Sequence, residues 1–210
     1  AMDTAVNLTN PLPVDGIRAR LSLWLRTDAS RLLWPTRCLV CEDAGLDGLD
    51  LCAACEADLP FNASACRACA APLPEAGTCG ACLGARTPLA EVHAAFVYAA
   101  PLDRLLPRLK FAGDLAVEIA RPLGRALGLP VRDGALLRLR ATREQSTLSA
   151  VARRRNVRGA FAVRPRLPLP AHVALVDDVM TTGATLRAAA SALRQAGVQR
   201  VDAWVAARVP

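Results

Sequence analysis

The 210-residue chain is short of aromatic residues, of lysine and of long apolar runs, and each shortage narrows what it can be. Phe, Trp and Tyr make up 4% of the sequence, too few for a row of stacking rings that would hold single-stranded nucleic acid. Apolar stretches such as Val173-Ala174-Leu175-Val176 meet a charge or a proline well before the roughly 20 residues a membrane helix needs, so no span is predicted. Ala1 to Thr4 carry neither the basic start nor the apolar core of an export signal, and a cytoplasmic protein is expected. Lys110 is the one lysine among 26 basic residues. With the heavy use of Ala, this points to a coding sequence rich in G and C, so the net charge of +7 permits nucleic-acid binding without demanding it.

What is present divides the chain in three. Residues 1–35 form an arm without periodicity, followed by a helix whose apolar positions Ile17, Leu21, Trp24 and Leu25 recur at helical spacing up to Leu33. Residues 36–87 hold all eight cysteines and little else that is large and apolar. Residues 88–210 alternate strand and helix patterns: a strand over 92–98, helices over 102–109 and 119–129, a strand over 173–177, a helix over 185–196 and a strand over 201–209. Such alternation predicts an α/β domain with a parallel sheet flanked by helices.

The cysteines come in four pairs, Cys38/Cys41, Cys52/Cys55, Cys66/Cys69 and Cys79/Cys82, each with two residues between its members. That spacing lets one tight turn aim two thiolates at the same ion, and eight ligands make two tetrahedral zinc sites. Four thiolates leave no open position, so both sites are structural and stabilise a module too apolar-poor to fold by burial alone. Spacing alone allows the first pair to share an ion with the second, or with the third in a crossed arrangement. An iron–sulfur cluster fits regular pairs less well than zinc.

A second motif runs from Val173 through Asp177-Asp178-Val179-Met180-Thr181-Thr182-Gly183-Ala184-Thr185. An apolar strand ending in two carboxylates passes through a hydroxyl-rich turn into a helix. A helix N-terminus offers free N–H groups and a positive dipole end to a phosphate, while acids at the carboxyl end of a central strand can accept hydrogen bonds from sugar hydroxyls.

This stretch resembles the phosphoribosyl-pyrophosphate motif of type I phosphoribosyltransferases: two acids, two variable residues, then Thr-Thr-Gly-x-Thr. The resemblance implies that Asp177 and Asp178 bind the ribose hydroxyls, that Thr181, Thr182, Gly183, Ala184 and Thr185 cradle the 5′-phosphate, and that Mg²⁺ accompanies the pyrophosphate. With the cysteine module in front, the chain resembles the ComF family, which places a double zinc ribbon ahead of a phosphoribosyltransferase-like domain. Cys79-Gly80-Ala81-Cys82-Leu83, Leu109-Lys110-Phe111, the run from Arg143 through Gln145 to Leu148, and Arg155-Asn156-Val157-Arg158-Gly159-Ala160-Phe161 carry that resemblance further.

The family implies a role in competence and DNA uptake, with phosphoribosyl pyrophosphate, single-stranded DNA and competence proteins as partners. The acceptor of any phosphoribosyl transfer, and the catalytic residue, do not follow from the residues. The cysteine module and the segment 92–98 are the two candidates for a hood over the acceptor. In the alternative reading the protein binds DNA through the basic run Arg153, Arg154, Arg155, Arg158, Arg164 and Arg166, and its nucleotide site is regulatory.

One family feature is missing. Where ComF-like chains insert a strand and a pyrophosphate-side loop, Lys110-Phe111-Ala112-Gly113-Asp114 runs almost directly into Ile119. A sheet without that strand leaves backbone groups without partners, so a break in the chain between Gly113 and Ile119 is expected.

Overall fold

The computed structural model describes residues 36–46, 48–109, 115–139 and 159–210. The expected N-terminal arm and helix, the Lys110-Phe111 segment, the Arg143–Leu148 run and the basic residues Arg153 to Arg158 lie outside the described residues. The chain forms two compact units, one running to Ala57 and the other from Asp58 to Pro210. The first holds a single five-residue helix, α1 (Ala53–Ala57), among turns.

The second unit is built on a parallel sheet of three strands in the order β1-β5-β4. These are β1 (Val92–Val97), β4 (His172–Met180) and β5 (Arg200–Arg208), with β5 in the centre. Every second residue of β5 from Val201 to Ala207 is buried, as the two-residue period of a strand requires when one face packs on a core. Helix α4 (Ala184–Gln195) joins β4 to β5 and packs Leu186, Ala190 and Leu193 against Val201, Ala203 and Val205. It ends at Gly197, whose φ of 98° lets the Val198 N–H turn back to the Leu193 carbonyl at 3.1 Å.

A smaller cluster extends the core where Leu102 and Leu106 of α2 (Leu102–Leu109) meet Ala207. Pro107 lacks the N–H that would reach the Asp103 carbonyl four residues back, and the Tyr98 hydroxyl donates to that carbonyl instead, at 3.5 Å. Helix α3 (Leu115–Leu127) follows.

Two short strands, β2 (Leu136–Arg138) and β3 (Phe161–Val163), pair antiparallel beside the main sheet. With three residues each they have no legible period, and the sequence reading missed them. The segment 92–98, expected as a strand, is β1 over Val92–Val97, paired with β5 from Val92↔Ala203 to Val97↔Arg208. The expected chain break does not fall between Leu115 and Ile119, where α3 is continuous, and Gly113 and Asp114 lie outside the described residues. Among the described residues β4 is an edge strand of its sheet, the position the missing family strand would flank. No described helix is long and apolar enough to cross a membrane.

Candidate functional site

Each Cys-x-x-Cys turn starts from local backbone hydrogen bonds. The Glu42 N–H returns to the Cys38 carbonyl at 2.9 Å, the Ala70 N–H to Cys66 at 2.7 Å and the Leu83 N–H to Cys79 at 3.1 Å. Glu42 and Ala70, each directly after the second cysteine of its pair, take the left-handed conformation, with φ of 67° and 53°. This twist, uncommon for residues with a Cβ, closes the turn so that both sulfurs face one point.

The turns gather the cysteines in chain order. Cys38, Cys41, Cys52 and Cys55 form one group and Cys66, Cys69, Cys79 and Cys82 the other, with the sulfurs of each group within 4.8 Å of one another. The crossed arrangement does not occur. All eight are free thiols, and the sulfur separations of Cys41–Cys52 at 3.6 Å and Cys69–Cys79 at 3.8 Å are far beyond a disulfide bond. Sulfurs placed about 2.3 Å from one tetrahedral ion stand about 3.8 Å apart, so this spacing is that of a zinc–thiolate shell.

The thiol electrostatics repeat in both groups. Burial pushes Cys38 and Cys66 up, but backbone donors outweigh it and bring each down to about 6: the Cys41, Cys52 and Val40 N–H groups for Cys38, the Cys79 and Ala68 N–H groups for Cys66. The last cysteine of each group moves the other way. The Cys52 thiol and burial raise Cys55, while burial and the Cys69 and Cys79 thiols push Cys82 up to about 12. In each group one thiolate forms readily and the last cysteine resists ionising beside it, which a dication resolves by compensating the accumulated charge. The two cysteine-rich zinc-ribbon sites therefore support structural zinc.

The phosphate-type motif is a strand, a tight turn and a helix in direct succession. Gly183 is the N-cap of α4, with φ 67° and ψ 15°, and no side chain caps the helix. The Ala184 N–H reaches the Thr182 hydroxyl at 3.4 Å. A Cβ on Gly183 would meet the terminal methyl of Met180, the yielding end of a flexible side chain, so it is the left-handed conformation that calls for glycine. The Arg187 guanidinium folds back over the turn and donates to the Thr182 carbonyl. It adds a cation to the positive end of a twelve-residue helix. The sequence reading passed over Arg187; its signal was the four-residue spacing from Gly183, which returns a helical side chain to the first turn.

The two acids sit differently from the sequence expectation. β4 does not end at them but continues to Met180, with Asp177 opposite Val205 and Val179 opposite Ala207. Both are partly buried, and each carboxylate accepts from the next backbone N–H, Asp178 to Asp177 at 2.9 Å and Val179 to Asp178 at 2.6 Å. Neighbours in a strand point to opposite faces, so the two carboxylates lie on different sides of the sheet. Among the described residues the groups of three or more metal-ligating side chains are the two cysteine groups.

Comparisons with known proteins agree with this layout. The double zinc ribbon domain model matches residues 29–83 and the phosphoribosyl transferase domain model matches residues 111–210. The chain is 41% identical over 93 residues to the DNA utilization protein YhgH of Escherichia coli O157:H7, covering 43% of this chain and 39% of that protein. It is 38% identical over 93 residues to Competence protein F of Haemophilus influenzae, covering 43% and 40%. The aligned stretch thus spans about two-fifths of the length of these curated relatives.

Proposed function

We propose that the chain, which matches a double zinc ribbon model ahead of a phosphoribosyl transferase model and in that order resembles the ComF family, binds phosphoribosyl pyrophosphate with Mg²⁺ at the β4–α4 turn. The observation that carries this reading is the turn itself: Gly183 in the left-handed conformation, an uncapped helix N-terminus and the Arg187 guanidinium beside it. Thr181 to Thr185 would hold the 5′-phosphate through backbone N–H groups and hydroxyls. Asp177 and Asp178 would take the ribose hydroxyls, each by its own approach. The zincs, when bound, hold the ribbon turns and take no part in chemistry. Whether the bound ligand is turned over depends on a nucleophile that nothing in the described residues selects.

The names of the relatives, a DNA utilization protein and a competence protein, favour a second reading for the whole molecule. In it the chain acts in DNA uptake, and the nucleotide site regulates DNA binding. Arg164 and Arg166, of the basic run, are exposed.

One titration series separates the readings. Purified protein is titrated with phosphoribosyl pyrophosphate plus Mg²⁺, and separately with single-stranded DNA at two salt concentrations. Saturable binding of the first, abolished by Gly183→Val, supports the proposed site; no binding would remove it. DNA affinity that falls steeply with salt supports the second reading.

A further inference from the structure

The second cysteine group is built into the same unit as the sheet, and its turn gives three carbonyls to hydrogen bonds, two of them from the sheet. The Arg67 carbonyl accepts from the Val92 N–H of β1 at 2.8 Å, the Cys69 carbonyl from Arg208 Nε of β5 at 2.8 Å, and the Ala70 carbonyl from Asn62 Nδ2 at 3.0 Å. Ala70, at 0% exposure, belongs to the same core cluster as Met180 and Leu186.

Arg208 makes a second bond. Its Nη1 donates to the Met180 carbonyl at 3.3 Å, and the next residue's N–H, that of Val209, donates to the same carbonyl at 3.0 Å. Met180 is the last residue of β4, immediately before the Thr181-Thr182-Gly183 turn, and its 2%-exposed side chain fills the space beside Gly183. A guanidinium is a planar fork with fixed donor directions, so it can hold two carbonyls at a set separation where an ammonium cannot.

We propose that Arg208 is a positioning residue that couples the second cysteine group to the phosphate turn: the metal-closed Cys66–Cys69 knuckle fixes the Cys69 carbonyl, Arg208 carries that position to the Met180 carbonyl, and the turn is held open for its anion. The ligand half of this inference rests on the proposed phosphoribosyl reading; the mechanical half does not. Coupling of this kind is reciprocal, so a ligand on the turn raises the metal affinity of the second group.

The test is hydrogen exchange on the full zinc-loaded chain, with phosphoribosyl pyrophosphate affinity measured alongside. Arg208→Gln is expected to speed exchange of the 181–184 amides about tenfold while leaving the central β5 amides unchanged, and to weaken ligand binding about tenfold. Arg208→Lys, which keeps the charge but not the fork, recovers only part of both. Cys79→Ser reproduces Arg208→Gln at the turn, whereas Cys41→Ser in the first group leaves the turn unchanged. Unaltered exchange at 181–184 in Arg208→Gln and Arg208→Lys would overturn the inference, as would Cys41→Ser loosening the turn as much as Cys79→Ser. If the parent chain binds no phosphoribosyl pyrophosphate, the proposed function fails, and the exchange comparison still decides this inference.

Discussion

The two cysteine groups are near copies in their immediate chemistry. Each has a first cysteine brought to about 6 by backbone donors and a last cysteine raised, and each has a left-handed residue after one of its pairs. Their surroundings differ. The turn of the first displays Leu39 and Val40, at 50% and 38% exposure, and its unit has no described element beyond α1. The turn of the second buries Ala70 in the main core and gives its carbonyls to Asn62, to β1 and to Arg208. Ligand spacing decides that a metal site forms; the carbonyls left over decide what the site can hold in place.

The comparison breaks most readily at the ligands. Cys79→Ser should lower the stability of the Asp58–Pro210 unit by several kcal/mol in a calorimetric melt, since structural zinc stabilises small modules by about 10 kcal/mol or more. Cys41→Ser should leave the melt of that unit unchanged. Equal effects of the two variants would mean that the groups are not separately embedded.

A control for mere destabilisation lies elsewhere in the same unit. Asp202, at 5% exposure, accepts from the Glu91 N–H at 3.2 Å and from Arg200 Nε at 3.1 Å, and pairs with His172 Nε2 at 2.7 Å. Asp202→Ala should cost about 2 kcal/mol, reduced from the full buried-pair value because Arg200 and His172 are half exposed. Burial opposes the charge, but the Arg200 and His172 bonds hold the carboxyl below its ordinary 3.8. Its stabilisation is therefore present above 3.8 and is lost as the pH falls further. Melts of the parent and Asp202→Ala should converge in acid, and exchange at the 181–184 turn should not respond to this substitution.

Smaller still is Gly183→Ala, which forces a side chain into the left-handed region against the Met180 methyl and should cost about 1–2 kcal/mol by denaturant titration. Pairing it with Arg208→Gln sharpens the comparison, since two changes acting on the same turn should combine less than additively.

Much of this architecture was legible in the sequence because its elements are long and strongly patterned. The apolar stretch around Val173-Ala174-Leu175-Val176 marks β4, and the apolar run Ala203-Trp204-Val205-Ala206-Ala207 marks β5. The cysteine spacing fixed the turns but not which pairs share an ion, because the order of gathering depends on chain path between pairs. Strands β2 and β3 were hidden by their three-residue length. The extension of β4 past Asp177 and Asp178 was hidden because charged residues read as a strand end, whereas pairing with β5 carries the strand on to Met180. Arg208 gave no signal at all: its role depends on carbonyls supplied by residues 28 and 139 positions away.

Where a phosphoribosyl ligand lands decides whether the β4–α4 turn is its site. Backbone amide shifts of the zinc-loaded chain, recorded while phosphoribosyl pyrophosphate and Mg²⁺ are added, should move first and farthest at Thr182, Gly183, Ala184 and Thr185, with smaller changes at Asp177 and Asp178. Shifts confined to other parts of the chain, or none at saturating ligand, would contradict that site.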